Sequence, residues 1–189
     1  MRPRADVATA FTRTDPEHYQ RDPDGSRYRH STRPDVVLAM LRLLDLPRGA
    51  HVLEIGTGSG FATAVLDRAV GPGGTVHSVD VDPAVTARAR RLLAADGRAA
   101  VRLTTADALR ALGLDEPVDR LVAFVSVGST VPPGWAAAVR PGGLLVVPLR
   151  GSGRVVVHRR DPRDGSLHPG RALDAVFDGA ADPTRAAGR

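Results

Sequence analysis

The sequence predicts an α/β fold, a doubly wound and mainly parallel sheet of about seven strands, on three observations. Short apolar runs alternate with helical stretches from residue 51 onward. The runs LVAFV and LLVV are apolar without alternation, as strands buried on both faces are. A glycine loop separates the first run from the first helix, where a Rossmann-like sheet offers its ligand site. Two closely spaced runs near the end of the chain add an antiparallel C-terminal edge.

The elements follow in order. Residues 1–33 are polar and broken by Asp15-Pro16, Asp22-Pro23 and Asp24-Gly25, and read as an irregular arm. Pro34 opens a helix in which Val36, Val37, Met40, Leu41 and Leu44 fall at helical spacing, with Asp35 in its first turn and an end near Pro47. HVLEIG is a buried strand, and FATAVLDRAV a helix closed by Gly71-Pro72-Gly73-Gly74. TVHSVDV and PAVTARARRLLAAD repeat the pattern, Pro83 suiting a first helical turn and Gly97 a stop. AVRLTTAD and DRLVAFVSV complete four strand–helix steps. GLLVVPL, RVVVHRRD, a turn at 162–166 and a weaker strand signal in ALDAVF form the edge. The expected organisation is an arm (1–33), one domain (34–179) and a disordered tail (180–189).

Composition narrows the function classes. All 26 basic Lys+Arg positions are arginine, yet the net charge is only +5 and the arginines are scattered, so no nucleic-acid face is expected. The absence of cysteine excludes disulfides, thiolate zinc sites and a cysteine nucleophile. No apolar run approaches the ~20 residues that span a bilayer, and residues 1–20 lack a signal-peptide centre, which points to a cytoplasmic protein. The six histidines show no ligand spacing, so no metal is expected, and Phe61 and Trp135 read as packing residues.

The chemistry centres on Glu54-Ile55-Gly56-Thr57-Gly58-Ser59-Gly60. Its glycines do not fit the dinucleotide register, whose sixth position is Phe61 counted from Gly56 or Thr63 counted from Gly58. A phosphate loop needs a lysine, and the chain has none. Asp80 ends the second strand, twenty residues after Gly60, where a carboxylate accepts from both hydroxyls of an unphosphorylated ribose. Asp107, at the tip of the third strand, suits an exocyclic amine such as that of adenine, although such an Asp is often only a cap. The residues that follow these acids, Val81 and Ala108, are expected beside the same nucleoside. Glu54 lies in an apolar strand, costly to bury unpaired, and is expected to meet a backbone amide or a ligand group.

These residues resemble class I S-adenosylmethionine methyltransferases. Residues 34–148 resemble more narrowly the protein L-isoaspartate O-methyltransferase family, through a proline-led helix, EIGTGSGF, and VPPGWAAAVRPGGLLVVPL after the fourth strand. The resemblance implies S-adenosyl-L-methionine as cofactor, bound by Glu54, Gly56, Thr57, Gly58, Ser59, Gly60, Asp80, Val81, Asp107 and Ala108. It implies as acceptor an aspartyl or isoaspartyl side chain of a protein or of a biosynthetic precursor peptide, with a methyl ester and then a succinimide as products. By position Thr32 matches the family's active-site serine, and Arg33 replaces a glutamine. Ser31 and Thr32 are expected to orient the acceptor; Arg33 offers a bidentate carboxylate partner, or is simply a solvated arginine. A tRNA adenine or small-molecule methyltransferase and a non-catalytic cofactor-binding protein stay open as alternatives; oligomeric state is not legible.

Overall fold

The computed structural model describes residues 2–150 and 152–174. Seven strands form one sheet: β1 (His51–Ile55), β2 (Thr75–Asp80), β3 (Arg102–Thr105), β4 (Val118–Ala123), β5 (Val139–Leu149), β6 (Arg154–Arg160) and β7 (Leu167–Asp174). Their order is β3-β2-β1-β4-β5-β6-β7. The first five pair in parallel, and β6 and β7 add antiparallel to β5. The doubly wound, mainly parallel sheet with an antiparallel C-terminal edge is therefore present.

Helices α3 (Pro34–Leu43), α4 (Phe61–Val70), α5 (Pro83–Ala95) and α6 (Pro133–Ala138) cover the sheet. The proline-led starts are as expected. Pro34 and Pro83 each stand in a first turn, and the Asp82 side chain caps α5 by accepting from the Ala84 amide. Strand alternation sorts the core into two layers. Val52, Val76, Val122 and Val146 pack with α3 and α4, whereas Leu53, Ile55, Val79, Leu121 and Leu145 pack with Trp135 of α6.

Three expectations change. The arm is not irregular: it holds α1 (Val7–Thr12) and α2 (Pro16–Gln20), capped by the Asp6 and Asp15 side chains. It is packed, with Val7, Ala10 and Tyr19 buried in the same layer as α4 and the Phe11 ring edge-on to Phe61. Two helices this short leave no periodicity to detect, and tertiary burial sustains them. Secondly, β3 is followed by a turn at residues 108–110 rather than a helix. Thirdly, the last strand begins before the signal in ALDAVF: β7 starts at Leu167 and is described as far as Asp174. The expected boundary at 179 and tail at 180–189 lie outside the described residues.

Candidate functional site

Between β1 and β4 the strand order reverses direction, which opens a crevice at the carboxyl ends of the strands. A cleft lies there. Ile55 and Gly56 end β1, Val79, Asp80 and Val81 end β2, Ala106 to Leu109 follow β3, Val125 follows β4, and Trp135 closes the side. Trp135 is buried and donates from Nε1 to the Ala108 carbonyl at 2.9 Å, which fixes the loop carrying Asp107.

The glycine loop is a bare backbone by necessity. Gly56, Gly58 and Gly60 all have positive φ, where L side chains are strained. A Cβ on Gly56 would lie 2.9 Å from Val125 Cγ1, and one on Gly58 would lie 2.5 Å from the His30 carbonyl oxygen. That second contact shows that the arm crosses the loop at Gly58, with Ser31 and Thr32 next in the chain after the contact.

Asp80 is held in place by two backbone amides. Its Oδ2 accepts from the Gly58 amide and its Oδ1 from the Asp82 amide, both at 3.1 Å, so the carboxylate joins the loop to the second strand while still lining the cleft. Asp107 also lines the cleft and caps its own turn, accepting from the Leu109 amide at 2.9 Å. The cap is present, and the residue borders the cleft as well. Val81 and Leu109 are the two large apolar side chains standing exposed among the described residues, each at 53%, and both border the cleft. Exposed apolar groups at the border of a largely apolar cleft that also carries two carboxylates are suited to a planar aromatic ring.

Other expected residues lie elsewhere. Glu54 is fully buried and does not line the cleft; strand alternation sends it to the α4 face, beside Ser78 in register, while Ile55 faces the site. Its Oε2 accepts from Thr63 Oγ1 at 2.5 Å, so its partner is a hydroxyl rather than the amide or ligand expected. Oε1 is buried with no partner among the described residues. Burial pushes this carboxyl up to about 7, against the Thr63 and Ser78 hydroxyls that favour its charged form; the nearby Asp80 charge adds to the rise. Thr57 and Ser59 are buried beneath the loop, Thr57 sharing a 2.6 Å hydroxyl bond with Ser78.

In the arm, the Ser31 hydroxyl donates to the Tyr28 carbonyl and accepts from Arg27 Nε. Arg33 forks onto Asp35 through Nε and Nη2 at 3.1 and 2.7 Å, in a pair exposed on both sides. Thr32 is held through its carbonyl by Gln20 Nε2 at 2.8 Å, and its hydroxyl has no bond among the described residues. Leu109, Val125 and the His30 carbonyl were not expected at the site. Only Leu109 left a sequence signal, as a large apolar residue two positions after the acid.

The sequence profile of the protein-L-isoaspartate(D-aspartate) O-methyltransferase family matches residues 5–177. The chain belongs to that family. A protein-L-isoaspartate O-methyltransferase of Anaeromyxobacter dehalogenans is 43% identical over 121 residues, 62% of this chain and 55% of that protein. One from Thermotoga maritima is 32% identical over 140 residues, 74% of this chain and 42% of that protein. The chain thus spans about half the length of the curated family members it matches. Among solved structures, a protein-L-isoaspartate O-methyltransferase has a TM-score of 0.75 at 24% identity, covering 92% of this chain and 61% of its own. A Plasmodium falciparum structure in complex with S-adenosyl-L-homocysteine has a TM-score of 0.75 at 14% identity, covering 93% and 90%. These two likenesses establish the family fold. Among the described residues no helix is long and apolar enough to cross a membrane, and no group of three His, Asp or Glu side chains is placed to hold a metal ion.

Proposed function

We propose that this chain is an S-adenosylmethionine-dependent carboxyl O-methyltransferase acting on an aspartyl or isoaspartyl side chain of a protein or precursor peptide. The observation that carries the reading is the convergence of Gly56, Asp80 and Asp107 on one cleft whose lips are Val81 and Leu109. The residues fit an adenosine group. The bare loop admits close backbone approach, the Asp80 carboxylate suits ribose hydroxyls, and the apolar lips suit a purine ring. When bound, the donor supplies a methyl group on a sulfonium centre.

The chain's own residues then orient and exclude water. A carboxylate acceptor with an ordinary pKa near ~4 is ionised at neutral pH, so no general base is needed. Alignment of the acceptor by itself is worth on the order of 7 to 11 kcal/mol. Of the three arm residues expected to perform it, Ser31 already donates its hydroxyl hydrogen bond to the Tyr28 carbonyl, and Thr32 has a hydroxyl free to donate to the acceptor. Arg33 is engaged with Asp35, but an exposed pair of this kind is worth only about 0 to 1 kcal/mol and can yield to the acceptor carboxylate. In the resulting ester the next backbone nitrogen attacks the ester carbonyl carbon, the C–OCH3 bond breaks and methanol departs with the amide proton, which gives a succinimide without further help from the protein.

Incubation with labelled methyl donor and a panel of aspartyl and isoaspartyl peptides tests the reading. Base-labile label is expected; label that survives mild alkali would assign the methyl group to nitrogen and overturn it. Asp80→Asn is expected to weaken S-adenosyl-L-homocysteine binding about 30-fold, the equivalent of ~2 kcal/mol, by removing charge-assisted acceptors. Thr32→Val should lower turnover about tenfold with calorimetric affinity for the donor product kept, since one hydroxyl contact to the acceptor is lost. Parallel loss of binding in both variants would contradict the division between donor and acceptor residues.

A further inference from the structure

One side chain of α5 gathers the arm. Arg88 donates from Nη1 to the Tyr19 carbonyl at 3.0 Å and from Nη2 to the Arg21 carbonyl at 2.8 Å, and Nη2 lies 3.5 Å from Asp22 Oδ1. Its guanidinium carbon stands 3.8 Å from the centre of the Tyr28 ring, a cation–π geometry. The side chain is only 14% exposed. By contrast, Arg90 and Arg91 of the same helix are exposed. A planar fork is needed here, because two carbonyls and an aromatic face must be met at once.

From these contacts two short chains of bonds reach Ser31 and Thr32. The Tyr28 amide donates to the Gln20 carbonyl, and the Tyr28 carbonyl accepts from the Ser31 hydroxyl. Gln20 in turn donates from Nε2 to the Thr32 carbonyl. Between these anchors the His30 carbonyl lies over Gly58. The helix that carries Arg88 begins at Pro83, directly after Asp80 and its amide donor Asp82. The same element is thus tied to the donor side of the site at its start and to the acceptor side one turn later.

We propose that Arg88 is a positioning residue for methyl transfer, holding Tyr19, Arg21 and Tyr28 so that Ser31 and Thr32 stay fixed above the glycine loop. This role rests on the carboxyl methyltransferase reading. It assigns the acceptor geometry to a residue outside the cleft, more than fifty positions away in sequence from the threonine it controls.

The test uses the full chain with Arg88→Met, which keeps an apolar stem, and Arg88→Lys, which keeps the charge over Tyr28. Three quantities are read: S-adenosyl-L-homocysteine affinity, kcat and KM on an isoaspartyl peptide, and the rate of tryptic cleavage at the exposed Arg21, Arg27 and Arg29. Arg88→Met is expected to keep donor-product affinity within about twofold and to lose about 30-fold in kcat/KM, since misplacement of a positioning group costs up to ~100-fold. Cleavage of the 21–29 segment should rise about tenfold as its local stability falls. Arg88→Lys should recover part of kcat/KM. Unchanged kcat/KM and cleavage in Arg88→Met, with an active wild type, would overturn the positioning role alone. Equal loss of donor-product affinity and turnover would assign Arg88 to general stability and overturn it as well. A wild type that neither binds the donor product nor methylates would overturn the enzyme reading and this role with it.

Discussion

Gly58→Ala is expected to abolish tight donor binding and to destabilise the fold by about 3 kcal/mol, from two additive causes. A φ of +50 costs an L residue about 1 to 2 kcal/mol. The new Cβ would also stand 2.5 Å from the His30 carbonyl oxygen, which is backbone and can move only if the arm lifts, an overpacking cost of about 1 to 3 kcal/mol. The Gly58 amide also holds Asp80 Oδ2, so displacing the loop misplaces the carboxylate proposed to take the ribose. S-adenosyl-L-homocysteine affinity should fall by about 100-fold or more, more than for Asp80→Asn, because backbone and carboxylate shift together. Gly73→Ala separates the two causes. Its φ is +80 with nothing within 4 Å of the added Cβ, so it should cost only about 1 kcal/mol and leave binding intact. Equal thermal shifts in the two variants would show that the arm does not press on the loop.

The parallel strands were legible because burial on both faces demands unbroken apolar runs, and the switch-point cleft followed from their order. The place of Asp80 at the end of the second strand, beside the glycine loop, is legible from the spacing, whereas its bonds to the Gly58 and Asp82 amides are not. The arm was not legible. Its burial rests on Val7 and Ala10, a single i, i+3 pair in a helix too short to establish a period, on Tyr19, and on Arg88 contacts about seventy residues away in sequence. Composition says nothing about such pairings. Glu54 is the costly buried acid that its place in an apolar strand implies, but its partner is the Thr63 hydroxyl rather than an amide or a ligand. Motif spacing identifies the strand, whereas the two-residue alternation decides the face, and position 54 shares its face with Ser78 and α4.

That misplaced acid yields the second large prediction, a pH slope in stability set by one residue. Glu54 has its carboxyl raised from 4.5 to about 7 in the fold, so the folded state keeps a proton that the unfolded chain releases. Its contribution is fully present below pH 4.5, is lost as pH rises toward 7, and stays lost above; the shift corresponds to about 3 kcal/mol. Burial pushes the His77 imidazole the other way, down to about 4, which makes stability rise with pH between about 4 and 6.5. The two slopes overlap and partly cancel in the wild type, so a single melting curve against pH hides both. Glu54→Gln isolates the first. Its amide oxygen can still accept from Thr63 but cannot ionise, while its NH2 takes the place of the unpartnered Oε1 at a cost of about 1 to 3 kcal/mol at every pH. The variant should therefore be less stable than the wild type at pH 5 and close to it, or more stable, at pH 8.5. The difference in unfolding free energy, measured by urea titration across that range, should swing by about 3 kcal/mol, because only the wild type has a charge to bury. A difference that stays constant with pH would mean that Glu54 ionises as freely in the fold as in the unfolded chain, and that the buried pair with Thr63 does not exist as described.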